Sequence, residues 1–292
     1  METQRKRLII TLIFLCYAAS CLDFSSSSSS DQVGAYGDSD KVVGSNGIQS
    51  FCTSDRYIMQ SYFSTHTSLD DSEFRDFLLK ESSCGIPTKD PTFAPTISLL
   101  HRNIAGEGSH RHLLTSVSLL LLPPQFHELV IIERLPLGVF ADPFELQNLR
   151  QRKVFREMAV FGDTNLELPS FRSNRSVVEI HVELDRNDHG NSEIGLMLPL
   201  HARYQPLEES GYSRIEFGDP DVLVCRGQDT NRRSRQTRCL VLSVGRSEIG
   251  SVVWEIPAGI RYHTEIVSVV TFAAAVLSAI AIVMASAFSS KV

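Results

Sequence analysis

The sequence lacks the short motifs by which catalytic and metal-binding sites are usually recognised. It has no C-x-x-C pair, so a zinc knuckle or a thiol redox site has no support. His127 and Glu128 are not followed by the second histidine of H-E-x-x-H, and neither G-x-S-x-G nor a Gly-rich phosphate loop occurs. The net charge of −6 excludes a broad basic surface for nucleic acid. The sequence therefore offers no good candidate for catalysis, and it predicts neither a cofactor nor a metal ion.

Apolar segments at both ends of the chain indicate a membrane protein of the secretory pathway. Residues 266–288 form an uncharged run of 23 residues, long enough to cross a bilayer core of about 30 Å as one helix. Near the N-terminus, the basic residues 5–7 precede a 12-residue apolar stretch, and Ala18 and Ser20 are small residues suited to signal peptidase. A cleaved signal followed by one late span predicts a single-pass type I protein whose bulk is luminal.

The composition divides the chain into six predicted segments. They are a signal peptide (1–20), a disordered Ser-rich leader (21–50), a short helical region (51–91), a β-rich luminal domain (92–263), the transmembrane helix (266–288) and a cytosolic tail (289–292). The leader has too few apolar residues to offset the entropy lost on ordering. An alternative is a lipid-anchor signal, in which Pro257, Ala258 and Gly259 precede a removed tail, although its spacer would be only six residues.

Hydrophobic periodicity changes from helical to extended along the luminal part. Residues 68–71 resemble a capping box, and Phe74, Phe77 and Leu78 follow at helical spacing. From about residue 92, short β-branched or apolar runs alternate with turn residues, which predicts an antiparallel, sandwich-like β domain. The predicted strands are 112–122, 128–134, 177–184, 194–202, 222–225, 239–244 and 252–256. Residues 143–161 interrupt them as a predicted helix, with Phe144, Leu146, Leu149, Val154 and Phe155 as its apolar positions.

Four cysteines lie in the predicted luminal part, where disulfides are the default expectation. Three pairings are possible, and pairing Cys225 with Cys239 and Cys52 with Cys84 closes two local loops. The basic run 232–238 lies between the first pair, which predicts a solvated hairpin tip; a protease site or an anionic-lipid patch are the alternatives. Asn174 begins an N-x-S sequon, so we expect it at the surface and expect a glycoprotein if the site is used.

Two local patterns allow a metal-binding interpretation. Asp219 and Asp221 form a D-x-D pair of the kind that holds a divalent cation in sugar-nucleotide transferases, but a turn entering a strand explains the same residues. His101, His110 and His112 are close in sequence, yet their spacing fits no standard site. Nearby glycines favour an exposed, solvated loop for these histidines.

Two longer elements carry a family resemblance. Residues 133–146 read E-R-L-P-L-G-V-F-A-D-P-F-E-L, and residues 198–207 read L-P-L-H-A-R-Y-Q-P-L. Their order, their separation and the single C-terminal span resemble the phosphatidylinositol-glycan biosynthesis class X (PIG-X) family over about residues 95–288. The motif residues are Arg134, Pro136, Gly138, Phe140, Asp142, Pro143, Glu145, His201, Arg203 and Tyr204.

This resemblance implies a non-catalytic subunit of the endoplasmic reticulum membrane. Such proteins stabilise the multispanning catalytic subunit, PIG-M, of GPI mannosyltransferase I, which adds the first mannose of the GPI anchor precursor from dolichol-phosphate-mannose. The motif residues then become candidates for partner contact, although Pro136, Gly138 and Pro143 equally suit turns. Two other classes stay open: a cell-surface adhesion or receptor-like ectodomain, and a luminal glycosyltransferase using Asp219 and Asp221.

The predicted membrane helix has a face of small residues. Thr271, Ala275 and Ala279 are spaced four apart, with Ala274 and Ser278 beside them. Small residues at this spacing allow two helices to approach closely in lipid. Ala275 and Ala279 are therefore further candidates for partner contact, and an anchor that faces only lipid is the alternative.

Overall fold

Antiparallel β-strands dominate the computed structural model, which describes residues 49–80, 95–185, 190–226, 237–243 and 252–289. The predicted signal peptide, nearly all of the leader and Cys84 lie outside these residues, as does most of the basic run 232–238. The helices are α1 (Ile58–Phe63), α2 (Asp71–Lys80), α3 (Pro143–Gln151) and α4 (Thr264–Ser289). The strands are β1 (Gln49–Thr53), β2 (Thr96–Ala105), β3 (His110–Leu120), β4 (Glu128–Arg134), β5 (Val139–Phe140), β6 (Glu157–Gly162), β7 (Ser176–Glu183), β8 (Ser192–Ala202), β9 (Tyr212–Phe217), β10 (Asp221–Arg226), β11 (Thr237–Leu242) and β12 (Val252–Pro257).

The strands form a six-stranded sheet, a four-stranded sheet and a two-stranded ribbon. Their orders are β1-β11-β10-β4-β7-β6, β2-β3-β8-β5 and β12-β9. The main core joins side chains of the two larger sheets, with Leu113 and Val117 of β3 in one cluster with Ile131 of β4 and Val224 of β10. This packing confirms the predicted mainly β, antiparallel, sandwich-like fold.

The central strands of the six-stranded sheet are buried on both faces. Leu129 and Ile131 of β4 belong to the main core, whereas Val130 and Ile132 belong to a second core with α1 and α2. Ile58, Tyr62 and Phe74 of these helices are almost fully buried there, together with Phe51 of β1. The continuous apolar run of β4 therefore reflects a strand covered on both sides.

The first strand of the described fold pairs with a strand near the end of the domain. β1 lies antiparallel to β11, with Gln49 opposite Val241 and Phe51 opposite Cys239. On the other side of β11, Cys239 faces Cys225 of β10, and the two are joined by a disulfide. Cys52 is also disulfide-bonded, but Cys84 lies outside the described residues, so its pairing with Cys52 stays a prediction.

Three sequence-based assignments of helices and loops are wrong. The predicted helix 143–161 ends at Gln151, and most of its second half is β6. Asp70, and not Ser68, caps α2, because its Oδ1 accepts hydrogen bonds from the backbone N–H groups of Ser72 and Glu73. The histidines 101, 110 and 112 lie on the paired strands β2 and β3, and only residues 106–109 form the turn between them.

The C-terminal helix α4 is exposed along its whole length. Within the described residues, it is the one helix that is long and apolar enough to cross a membrane. A short 3-10 helix, Arg261–His263, runs directly into it. The predicted span 266–288 lies within its bounds.

Candidate partner-binding site

The two sequence elements that carry the family resemblance meet at one end of the four-stranded sheet. β5 pairs with the end of β8, so that Val139 faces Ala202 and Phe140 faces His201. The backbone N–H of Arg203 donates to the carbonyl of Gly138 at 2.8 Å. The amide of Gln205 donates to the same carbonyl at 3.1 Å. These contacts join elements about sixty residues apart in sequence into one unit, which we call the motif junction.

Gly138 suits the geometry of the motif junction. Its φ of +88° lies in the left-handed region, and a Cβ added there would lie 2.7 Å from Nε2 of Gln205. The Gln205 amide can move, but the left-handed backbone before β5 favours glycine, which gives this motif residue a structural role.

Arg203 fixes the interior of the motif junction. Its side chain is buried, and its guanidinium lies 4.9 Å from the ring centroid of Phe140. Its Nη1 donates to the backbone carbonyls of Asn165 and Leu168. Arg203 thus ties the chain before β7 to the end of β8, and its burial removes it from direct partner contact.

Asp142 and Glu145 position α3 on the junction. Asp142 is the N-cap of the helix, and its Oδ1 accepts from the N–H of Phe144 at 2.8 Å. Pro143 follows at the first helical position, where its missing N–H costs nothing. In the first turn of the helix, Oε2 of Glu145 lies 2.9 Å from Nε2 of His201 on β8. The start of α3 is therefore attached to the sheet through a carboxylate–imidazole contact.

Arg134 belongs to an ion-pair network that connects α2 with two strands. Its guanidinium contacts Asp71 of α2 at 2.7 Å and Asp221 of β10 at 2.9 Å, and it donates to the carbonyl of Asp219. Burial raises the pKa of Asp221 above its ordinary value, although Arg134 acts in the opposite direction. Among the described residues, Asp219 and Asp221 belong to no group of three potential metal ligands. Asp219 lies in the connection between β9 and β10, and Asp221 is the first residue of β10.

Large apolar side chains are exposed around the junction. Tyr204 is 84% exposed, Phe144 75%, Phe171 67% and Leu137 49%. The N–H of Ser170 donates to the carbonyl of Tyr204, which places the Phe171 segment beside it. We call these four residues the junction surface. Sequence reasoning identified Tyr204 but placed Phe144 on an apolar helix face, and it missed Leu137 and Phe171 because single exposed apolar residues have no periodic signal.

The segment after Tyr204 connects the junction to the membrane helix. Glu208 accepts from the N–H of Arg261 at 3.1 Å and donates its own N–H to the carbonyl of Gly259 at 3.0 Å. The N–H of Ala258 donates to the carbonyl of Gly211 at 2.7 Å. Backbone hydrogen bonds therefore hold residues 208–211 against the chain that leads into α4.

A comparison of the sequence with models of protein families identifies the family of this chain. Residues 106–287 match the model of the family described as PIG-X / PBN1. The match covers more than half of the chain and includes both sequence elements and nearly all of α4. The chain belongs to the PIG-X / PBN1 family.

Curated relatives agree with this family assignment. A human protein and a rat protein, each named "GPI alpha-1,4-mannosyltransferase I, stabilizing subunit", are 26% and 27% identical over 205 residues. The alignments cover 64% of this chain and 79% and 81% of those relatives. "Protein PBN1" of Debaryomyces hansenii is 34% identical over 85 residues, which cover 29% of this chain and 16% of that protein.

The remaining predicted residues of this PIG-X / PBN1 member lie outside the junction. Asn174 is exposed just before β7, and its N–H donates to Asp163 at 2.8 Å; its glycosylation stays a prediction. Ala275 and Ala279 are exposed on α4. The structure thus brings Phe140, Asp142, Glu145, His201, Arg203 and Tyr204 together at the junction, while Arg134 lies in the ion-pair network.

Proposed function

We propose that this chain is a non-catalytic subunit that stabilises the catalytic subunit of GPI mannosyltransferase I in the endoplasmic reticulum membrane. The observation that carries the proposal is the family match over residues 106–287, together with the names of the mammalian relatives. In this role the chain contributes binding energy, and the partner supplies the chemistry that forms the GPI mannose linkage.

The proposed partner is a multispanning, PIG-M-like mannosyltransferase. A lipid-linked sugar donor requires a catalytic site at the membrane, and this chain has one candidate span among its described residues. The β domain would lie in the lumen with α4 as a single-pass type I anchor. The disulfide between Cys225 and Cys239 supports this orientation, because disulfides persist in the oxidising secretory lumen.

Two surfaces are proposed to contact the partner. The junction surface offers exposed aromatic rings, a residue type that is enriched in protein interfaces. In the membrane, Ala275 and Ala279 allow close helix packing. Because residues 208–211 bond to the chain leading into α4, the two surfaces belong to one continuous part of the molecule.

Deletion of the chain tests the proposed role directly. Cells without it should lose the catalytic subunit at steady state and display less GPI-anchored protein at the surface. Affinity purification of the tagged chain in mild detergent should recover the mannosyltransferase. Normal anchor synthesis after deletion, combined with the absence of a mannosyltransferase from the purified material, would overturn the proposal. Abundant surface labelling of the chain would instead support a cell-surface receptor.

Substitutions at the junction surface test the contact site. Tyr204→Ser and Phe144→Ser should each lower recovery of the mannosyltransferase by about tenfold, since an exposed aromatic anchor contributes about 1–2 kcal/mol to an interface. Neither change should lower the thermal midpoint of the chain itself, because both rings are exposed.

Leu99→Ser is the matched control for these variants. Leu99 is 44% exposed on β2, which lies at the opposite edge of the four-stranded sheet from β5. Recovery of the mannosyltransferase should be unchanged in this variant. Equal losses for the control and the two junction variants would refute a contact site at the junction.

A further inference from the structure

Three potential metal ligands converge where the first turn of α3 meets the four-stranded sheet. Among the described residues, His110, Glu145 and His201 form the one group whose ligand atoms all lie within 4.8 Å of one another. They come from three different elements, β3, α3 and β8. Sequence reasoning did not find this group because the three residues are 35 and 56 positions apart.

The two histidines are held next to each other by the sheet. His110 and His201 are direct partners in the pairing of β3 with β8, and their ring centroids lie 4.1 Å apart. The ring of Phe140 stacks on His201 from the other neighbouring strand at 5.2 Å. Strand pairing therefore fixes both Cα positions and leaves the imidazoles on one face.

Glu145 reaches both imidazoles from the first turn of α3. Its Oε2 lies 2.9 Å from Nε2 of His201, and its Oε1 lies 3.8 Å from Nε2 of His110. Within the described residues, these two histidines are the ion-pair partners of Glu145. The N-cap Asp142 fixes the start of the helix and with it the direction of Glu145.

The donor set matches zinc better than a hard cation. Two imidazole nitrogens and one carboxylate oxygen are a common three-residue ligand set for Zn²⁺ with water in the fourth position, whereas Ca²⁺ and Mg²⁺ prefer oxygen donors. Bonds of about 2.1 Å in a tetrahedron place donor atoms about 3.4 Å apart. The distances of 2.9 Å from His201 to one Glu145 oxygen and 3.8 Å from His110 to the other lie on either side of that value, and one ligand atom from each residue lies within 4.8 Å of the others.

We propose that His110, Glu145 and His201 bind one Zn²⁺ ion that attaches α3 to β3 and β8. His110 is half exposed, so its ring can rotate toward the ion without disturbing the core. The ion would lock the motif junction by joining the start of α3 to the sheet. This proposal is independent of the mannosyltransferase role, because it concerns an ion bound by the isolated chain.

Zinc binding to the purified full-length chain tests the proposal. The chain, stripped of metal in detergent, should take up one Zn²⁺ per molecule in competition with a chromophoric chelator. The ion should raise the thermal midpoint, because a ligand that binds only the folded state stabilises it. Mg²⁺ and Ca²⁺ should not displace it.

Three variants identify the ligands. His110→Ala, Glu145→Gln and His201→Ala should each weaken Zn²⁺ binding by about 100-fold or more, since even residues that only orient ligands change affinity by about 10–100-fold. His101→Ala, at an exposed position on β2, should bind as the unmodified chain does. The fluorescence of the single tryptophan, Trp254, reports whether each metal-free variant is folded.

Two results would overturn the proposal. One is the absence of stoichiometric Zn²⁺ on the unmodified chain. The other is equal affinity in the unmodified chain and the folded ligand variants. In either case Glu145 attaches α3 to the sheet through an ordinary hydrogen bond with His201 and a longer contact with His110.

Discussion

Glu179 is a fully buried carboxylate that connects the N-terminal helices to the β domain. Its two oxygens accept hydrogen bonds from the backbone N–H groups of Ile58 and Met59, both at 2.8 Å. These are unpaired donors at the start of α1, a position at which a negative charge is favourable. The same carboxylate lies 2.8 Å from Nε2 of His181. One side chain of β7 therefore stabilises both the helix start and its attachment to the sheet.

His181 makes this attachment sensitive to pH. Burial lowers the pKa of its imidazole, but hydrogen bonds to Glu128 and Glu179 outweigh burial and raise the pKa from 6.5 to about 9. Because the imidazole binds its proton more tightly in the folded chain, protonation of His181 stabilises the fold. This contribution is complete below pH 6.5, the pKa in the unfolded chain, and is lost as the pH rises through about 9.

We therefore expect the free energy of unfolding to fall between pH 6.5 and about pH 9. The loss attributable to His181 should be on the order of 3 kcal/mol. Denaturant unfolding of the chain in detergent, followed by Trp254 fluorescence, measures it. His181→Gln should remove this part of the pH dependence, whereas His101→Gln should keep it. A flat profile for the unmodified chain across this range would contradict the assignment.

At the scale of elements, hydrophobic periodicity predicted seven strands that either alternate between buried and exposed residues, as in β8, or are apolar along most of their length, as in β4. The seven predicted strands correspond to β3, β4, β7, β8, β10, β11 and β12. β8 alternates between buried and exposed residues over its first half, because one of its faces is in the core and the other is in solvent. The order of the two motif elements was also visible in the sequence, but their pairing through β5 was not, since β5 has only two residues.

The predictions that failed depended on contacts distant in sequence or on unusual backbone angles. Lys153 has a φ of +60°, and the N–H groups of Lys153 and Val154 donate to the carbonyls of Arg150 and Leu149 in a Schellman motif. Glycine is the usual residue at this position after a helix, but here it is Lys153, so the sequence carries no signal for the end of α3. No prediction covered Arg102 and Glu133, charged strand residues 31 positions apart that form a buried ion pair at 2.7 Å.

The small-residue face of α4 gives a prediction for the helix as a unit. Ala275→Leu combined with Ala279→Leu should lower recovery of the mannosyltransferase several-fold, because larger side chains prevent close helix approach in lipid. Ser278 does not present an unpaired hydroxyl on this face, since its hydroxyl donates to the backbone carbonyl of Ala274. The measurement is the amount of mannosyltransferase that co-purifies with the tagged chain.

Ala273→Leu combined with Ala287→Leu is the control on the opposite side of α4. The same number of methyl groups is added, and the topology should be the same for both pairs. Recovery should stay at the level of the unmodified chain. If the first pair also leaves recovery unchanged, the contact with the mannosyltransferase is confined to the β domain.

At the scale of the whole molecule, the β domain continues into its membrane helix without a flexible linker. Glu208 bonds to Gly259 and Arg261, and the 3-10 helix Arg261–His263 leads directly into α4. Two weak contacts joined by a short connection reinforce each other, since the second contact forms at a high effective concentration once the first has formed.

Insertion of a Gly-Ser segment of about six residues after His263 should therefore weaken partner binding even though both contact surfaces stay intact. Recovery of the mannosyltransferase should fall at least threefold, because the inserted segment lowers the effective concentration at which the second contact forms. The thermal midpoint of the β domain should not change. The same insertion in the turn between β2 and β3, at Glu107, is the control and should leave recovery unaltered; equal recovery with both insertions would argue against coupling of the two surfaces.

The pairing of β1 with β11 sets the time at which the domain can finish folding during synthesis. The two strands lie roughly 190 residues apart along the chain. At 5–20 residues per second, β1 waits about 10–40 s after it is made for its partner. Phe51 is buried in the folded state, and it remains without its β11 neighbour during that interval. β11 is made just before α4, so the six-stranded sheet can be completed only at about the time that α4 itself is synthesised.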